Sequence, residues 1–356
     1  MSRRGAGYRG GSGGLIAATA SALVVLVVAV LAFGALSLWI YKGAGPEARN
    51  HAAVTTVILR KGAGVSEIAS DLQQAGVIRS APLFLAAAQF SGAAHALKAG
   101  EYAFPSRTSL AEVIRRMRHG EVVHHRVTVP EGLTSQQAVD ILNHTDVLVG
   151  TVVAPPEGSI LPETYEVVRG EQRSAVLQRM TEARDRLLAT LWSKRRIGLP
   201  FADVNQAVTL ASIVEKETAL DDERPEVAAV YINRLRQGMR LEADPTVIYA
   251  VDKGLPLGHG LRESELHTAS PYNTYLNAGL PPGPIGNPGR ASLAAVMDPP
   301  DSKALYFVAN GEGGHNFAAT LAEHDKNVAH WREFEKQKAQ AAALAGAPIP
   351  PPLEHR

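Results

Sequence analysis

The uncharged run from Leu15 to Ile40 constrains this chain more than any other feature. It is rich in Val, Leu and Ala, and it exceeds the roughly 20 apolar residues that a helix needs to cross a hydrocarbon core. Arg3, Arg4 and Arg9 precede it, Lys42 follows it, and Trp39 and Tyr41 stand at its far end. Basic flanks stay on the cytoplasmic side and aromatic residues suit the interface. The expectation is a cytoplasmic tail over residues 1–14, one transmembrane helix over 15–40, and the rest of the chain on the far side. A cleaved signal peptide is the alternative, but its apolar core spans only about 7–15 residues.

A chain of 356 residues is too long for one small core, so two domains are expected beyond the anchor. Lys and Arg number 36 against 35 Asp and Glu, which argues against a nucleic-acid partner. Cysteine is absent, so a disulfide framework, a thiolate nucleophile and a thiolate metal site are all excluded.

Residues 43–53 read as a short Gly/Pro/Ala linker. A weak internal repeat follows, in which Val57-Ile58-Leu59-Arg60-Lys61-Gly62 corresponds to Val127-Thr128-Val129-Pro130-Glu131-Gly132. Each is an alternating strand that ends in a glycine turn and leads into an amphipathic helix, ending near Leu72 and Leu142. Further helices are expected over Pro82–Gln89 and Leu110–Met117, with a turn into a strand at Leu97–Tyr102. Strand, turn, helix and further strand have the shape of a small LysM module, so residues 54–150 are expected to form a LysM-like α/β subdomain. A generic α+β spacer is the plainer alternative.

From 151 to 335 the pattern is mixed α+β: helices over Glu171–Lys194 and Pro225–Gln237, Gly/Pro-rich loops to about Pro300, a strand at Leu305–Ala309 and a polar helix over Glu323–Gln340. Residues 336–356 read as a polar, Pro-rich tail.

Within this second part, Ala211-Ser212-Ile213-Val214-Glu215-Lys216-Glu217-Thr218 places two carboxylates at the end of an apolar helix. A carboxyl on such a surface is costly unless it is paired or used, and desolvation can keep a proton on it as a general acid requires. A helical projection puts Ala207, Leu210, Ala211 and Val214 on one stripe and Thr209, Ser212 and Lys216 opposite, facing water. Glu215 and Glu217 fall on the two flanks, roughly 160° apart. Glu215, beside the small Ala211, has the more room for a ligand and is favoured as the acid. The alternative is that both are ion-pair residues.

Four loops combine amides, hydroxyls and aromatic faces of the kind that hold sugars: Leu241–Thr246, Ser270–Tyr275, Gly279–Ile285 and Gly313–Phe317. Turn chemistry alone explains any one of them. There is no His-Glu-x-x-His, no Gly-x-Ser-x-Gly and no phosphate-cradling Gly-Lys-Ser/Thr, so no metal and no cofactor is expected.

The octet 211–218, Val230-Tyr231-Ile232-Asn233-Arg234-Leu235, Asp244-Pro245-Thr246-Val247-Ile248-Tyr249, Tyr272-Asn273-Thr274-Tyr275, Gly279-Leu280-Pro281-Pro282-Gly283 and Tyr306-Phe307-Val308-Ala309 together resemble the endolytic murein transglycosylases, the MltG or YceG-like family. The resemblance runs from the anchor to about residue 335. It implies a single-pass protein of the inner membrane whose LysM-like subdomain and catalytic YceG-like domain face the cell wall from the periplasm. The implied activity is cleavage of the β-1,4 bond between N-acetylmuramic acid and N-acetylglucosamine, giving 1,6-anhydro ends on nascent peptidoglycan strands. Glu215 is the implied catalytic acid. Glu163, Tyr165, Asn233, Asp244, Thr246, Tyr272, Asn273, Tyr275, His315 and Phe317 are the expected substrate contacts. Glu163 and Glu242 stand where the family often has Asp and Gln. Peptidoglycan strands and peptidoglycan synthases are the expected partners. The rivals are a non-catalytic glycan-binding membrane scaffold and a hydrolase using water with a second carboxylate such as Asp244.

Overall fold

A computed structural model describes residues 12–48 and 52–344. Of the expected tails over 1–14 and 336–356, residues 1–11 and 345–356 therefore lie outside the described residues, while 12–14 and 336–344 are helical. The chain divides into two compact units, one up to His124 and one from His125.

In the first unit, α1 (Ser12–Lys42) includes a stretch, Leu23–Lys42, that is long and apolar enough to cross a membrane. Val25, Leu31, Phe33 and Trp39 are each 67% exposed or more, so no protein face covers the helix there. Strands β1 (Val54–Leu59) and β2 (Gly100–Pro105) pair antiparallel, with Val57 opposite Tyr102. Between them come α2 (Val65–Gln74) and α3 (Ala81–Phe90), and α4 (Leu110–His119) follows. Helix α2 buries Ile68, Ala69 and Leu72, the residues whose spacing predicts it. Leu59, Phe84, Phe104 and Met117 close the core around Tyr102, whose hydroxyl donates to Lys98 O at 2.7 Å. The Ser109 hydroxyl caps α4 by accepting from Glu112 N–H, and Gly120 ends it in the left-handed conformation. Within the expected linker, residues 43–48 are held to the unit: Gly45 N–H donates to Arg107 O and Ala48 N–H to Ser106 Oγ.

The second unit opens at the second residue of β3 (His124–Thr128), which pairs with β5 (Thr164–Val168), and continues into α5 (Ser135–Asn143), which starts on a reciprocal Thr134–Gln137 capping box. Short strands β4 (Leu148–Val149) and β6 (Glu171–Gln172) run parallel, and α6 (Arg173–Lys194) follows. The second copy of the strand–turn–helix repeat thus belongs to this unit, not to the first. The reason is packing: Val127, Val129, Ala138 and Leu142 share a core with Val176 and Met180 of α6.

The centre of the unit is α7 (Val204–Glu217), packed against α8 (Arg224–Arg236), α9 (Asp244–Asp252) and α11 (Arg290–Met297). Every residue from Ala207 to Val214 is buried. That corrects the expectation that Thr209 and Ser212 face water. Ser212 Oγ donates to Thr209 O at 2.7 Å and accepts from Ile285 N–H at 3.0 Å, so a distant loop covers the polar side of the helix. The region expected to be loop up to Pro300 also contains three helices: α9, the single turn α10 (Glu263–Leu266) and α11. Proline in the first turn of α9 is compatible with a helix start, and α11 is a short segment held by Leu293, Val296 and Met297 in the core. Strands β7 (Tyr306–Ala309) and β8 (His315–Ala318) form an antiparallel hairpin, and α12 (Leu321–Leu344) completes the unit.

Candidate active site

Helix α7 begins at Asp203, whose carboxylate accepts from Asn205 and Gln206 N–H, and ends at Thr218 in extended backbone. Its last turn carries Glu215, Lys216 and Glu217, and the two carboxylates diverge as the projection requires. Their surroundings are the reverse of the expected ones.

The Glu215 side chain is 4% exposed, and both of its oxygens are occupied. Oε1 pairs with Arg224 Nη2 at 3.1 Å and Oε2 accepts from Gly289 N–H at 2.9 Å. The Arg224 side chain is itself 8% exposed and also bonds Asp221, with Glu131 3.7 Å away. Burial, followed by the charge of Glu215, raises the pKa of Glu131. Glu215 and Arg224 are thus the buried centre of an ion cluster whose outer carboxylates, Asp221 and Glu131, reach solvent.

Glu217 instead lines an open cavity of about 190 Å³. Tyr231, Arg234, Glu242, Asp244, Tyr275 and His315 share the cavity, and Leu241, Pro245, Ile248 and Phe307 provide its apolar wall. Tyr231 OH donates to Glu217 Oε1 at 2.6 Å. Burial, then the charge of Glu217, pushes the Tyr231 phenol well above its ordinary range, so it stays a donor. Asp244 opens α9 and accepts from Tyr275 OH at 2.6 Å. Burial and then Asp244 push Tyr275 upward as well. Arg234 spans the floor, donating to Leu305 O at 2.7 Å and Leu241 O at 2.8 Å, with Glu242 at 3.4 Å. Glu242 holds φ 53, a left-handed conformation uncommon for a non-glycine residue. Lys216 lies at the edge with its pKa lowered by burial, against the opposing pull of Glu157 and Glu215.

His315 is fixed twice by one carboxylate. Its N–H donates to Glu223 Oε1 at 2.8 Å, and its Nδ1 lies 2.7 Å from Glu223 Oε2. Burial would raise Glu223, but the His315 and Thr218 bonds outweigh it and hold the carboxyl below its ordinary range. The imidazole packs edge-on against Phe307, with centroids 5.3 Å apart.

Of the expected substrate contacts, Asp244, Tyr275 and His315 therefore meet in one cavity. The others do not line it. Asn233 donates to Ser302 O and Ala304 O, Thr246 donates to Ala243 O, and Asn273 donates to Leu266 O and Thr268 O. These side chains pin loops to helices. Glu163 accepts from Arg290, and Tyr165 donates to Leu161 O with its pKa pushed up to about 12 by burial. Tyr272 stacks at a tilt on Tyr249, and Phe317 packs beside Phe307. Sequence reasoning weighed Glu217 but favoured Glu215, and it did not single out Tyr231 or Arg234, although all three lie within quoted motifs. Among the described residues, no three His, Asp or Glu side chains group as ligands for a metal ion.

The YceG-like family profile matches residues 57–330. An endolytic murein transglycosylase of Bacillus subtilis (strain 168) is 29% identical over 316 residues, covering 79% of this chain and 86% of that protein. An endolytic murein transglycosylase of Streptococcus pneumoniae serotype 2 (strain D39) is 27% identical over 329 residues, again covering 79% of this chain but only 59% of the longer pneumococcal protein. A crystal structure of a yceG-like protein, lmo1499, from Listeria monocytogenes shares 29% identity with a TM-score of 0.49, covering 77% of this chain and 98% of that one.

Proposed function

Because this chain belongs to the YceG-like family, we propose that it is an endolytic murein transglycosylase that cuts peptidoglycan strands with Glu217 as its acid and base. The observation that carries the residue assignment is the contrast in the last turn of α7. Glu217 opens onto a cavity with Asp244, Tyr275 and His315, whereas Glu215 is enclosed by Arg224 and Gly289. A general acid must reach the atom it protonates.

In this reading Glu217 first gives its proton to the glycosidic oxygen between N-acetylmuramic acid and N-acetylglucosamine, and the C1–O bond breaks. The substrate's own N-acetyl group and the negative side chains Glu242 and Asp244 stabilise the positive, oxocarbenium-like centre. The Glu217 carboxylate, held by Tyr231, then takes the proton from the muramic C6 hydroxyl. The freed oxygen bonds to C1, closing a 1,6-anhydro ring with no water consumed. Tyr231 and Tyr275 keep their protons and act as fixed donors, and the Glu223-clamped His315 presents its remaining ring edge to the sugar.

The β1–α2–α3–β2 unit serves as the LysM-like glycan contact, and α1 serves as a single-pass anchor in the inner membrane. The second unit then works in the periplasm beside peptidoglycan synthases, where new strands emerge. Digestion in ¹⁸O-labelled water tests the reaction. Unlabelled anhydro ends are expected; labelled reducing ends would mean a hydrolase and would point to Asp244 as its second carboxylate.

A further inference from the structure

Where α1 ends, the first unit contains a cavity of about 370 Å³ that the glycan chemistry does not use. Three segments distant in sequence form it: the end of α1 with the residues after it, the α2–α3 turn and the β2–α4 turn. Trp39, Gly43, Arg79, Leu83, Arg107 and Thr108 line it.

The cavity is built by close backbone packing. Gly45 N–H donates to Arg107 O, and Arg107 N–H donates to Pro46 O, both at 3.0 Å. A Cβ on Gly45 would stand 2.0 Å from Thr108 O, and one on Gly43 would stand 2.4 Å from Trp39 O. Both obstacles are backbone atoms, so neither position accepts a side chain without moving the chain. Tyr41 also packs against the core of the unit.

Two guanidinium groups line this space, and among the described residues most of their donors are unspent. Arg79 uses Nη2 alone, on Ala44 O and Gly45 O, at 3.4 and 3.5 Å. Arg107 lies 3.7 Å from Glu47, and both side chains are more than 60% exposed, so that pair holds the arginine weakly. Arg107 also sits at φ 65, a conformation that glycine or asparagine adopts more readily. The arginine fork matches phosphate in two-point contact. Trp39, at the end of the apolar stretch, is the kind of residue that marks the membrane interface.

We propose that this cavity binds the phosphate of an anionic phospholipid headgroup between Arg79 and Arg107, with Trp39 and Leu83 against the glycerol and first acyl carbons. The proposal rests on α1 being a retained membrane anchor. A soluble phosphate has the same charge but lacks the apolar half of the contact.

The test uses the full chain in nanodiscs of phosphatidylcholine with a minor share of phosphatidylglycerol. Intact mass is measured first, and retained lipid is then counted by native mass spectrometry. Phosphatidylglycerol is expected to be retained in preference. Arg79→Ala with Arg107→Ala should weaken retention about 30-fold, the loss expected of two basic residues at an anionic surface. Lys61→Ala, an exposed basic residue of the β1–α2 turn, should leave it unchanged. Melting curves check that each variant is folded, and Arg79→Lys with Arg107→Lys, which keeps charge but not the fork, should recover part of the loss. Equal retention of both lipids, an unaffected double alanine variant, or displacement of the lipid by millimolar inorganic phosphate would overturn the site. An intact mass lacking α1 would overturn the anchor and the site together, leaving the glycan chemistry untouched.

Discussion

Glu215→Gln removes one buried charge while keeping the side-chain volume and one oxygen for Gly289 N–H. The Arg224 side chain, 8% exposed, then loses its nearest buried partner and keeps only exposed Asp221 and more distant Glu131. Breaking a buried ion pair costs about 3–5 kcal/mol, and the remaining carboxylates place this case at about 3 kcal/mol. For a unit of this size each kcal/mol moves the melting temperature by about 2–4 °C, so a drop of about 6–12 °C is expected. The assay pairs a thermal scan with turnover on purified glycan strands at a temperature where the variant is still folded. Turnover per folded molecule should stay close to wild type. Glu215→Leu with Arg224→Met should recover most of the stability, because replacing both members of a buried pair by apolar groups is often neutral. An unchanged melting temperature with a 10²–10⁴-fold loss of turnover would refute the reasoning and return the acid role to Glu215.

Tyr231→Phe removes the hydroxyl that holds Glu217 and should cost about 1.5–3 kcal/mol on a melting curve, with turnover reduced because the carboxylate loses its orientation. Glu223→Gln should loosen the His315 hairpin, seen as faster amide exchange at His315. The same loosening should occur in the wild type on acidification. Because folding depresses the Glu223 pKa, its contribution is full above the ordinary carboxylate value near ~4.3 and is lost as pH falls through the lower folded value. Exchange at His315 that stays flat with pH would contradict the clamp. Thr134→Ala removes the cap of α5 and should destabilise the second unit by about 1 kcal/mol without changing turnover, as measured by denaturant midpoint.

Much of the framework was legible because local pattern and tertiary context agree. The run before Lys42 predicts α1, and the spacing of Ile68, Ala69 and Leu72 predicts α2. The angular split of Glu215 and Glu217 was legible too, since it depends only on helix geometry. What each flank meets was not, because Arg224 and Gly289 reach Glu215 from other elements and the cavity around Glu217 is completed by Tyr275 and His315. Ser212 looked solvent-facing because nothing nearby in sequence announces that Ile285 N–H will bond to it. Asn233, Thr246 and Asn273 carry side chains that suit sugars, yet the same groups suit backbone amides and carbonyls, and only the fold distinguishes the two uses. Helices α9 and α11 were hidden by flanking Pro and Gly and are held by burial more than by local preference.

The most direct test of the account is mass spectrometry of glycan strand ends after digestion by the wild type beside Glu217→Gln. The account predicts new 1,6-anhydromuramic ends with the wild type and their near-complete loss in the variant, with its melting temperature little changed. Undiminished anhydro ends from Glu217→Gln would contradict it.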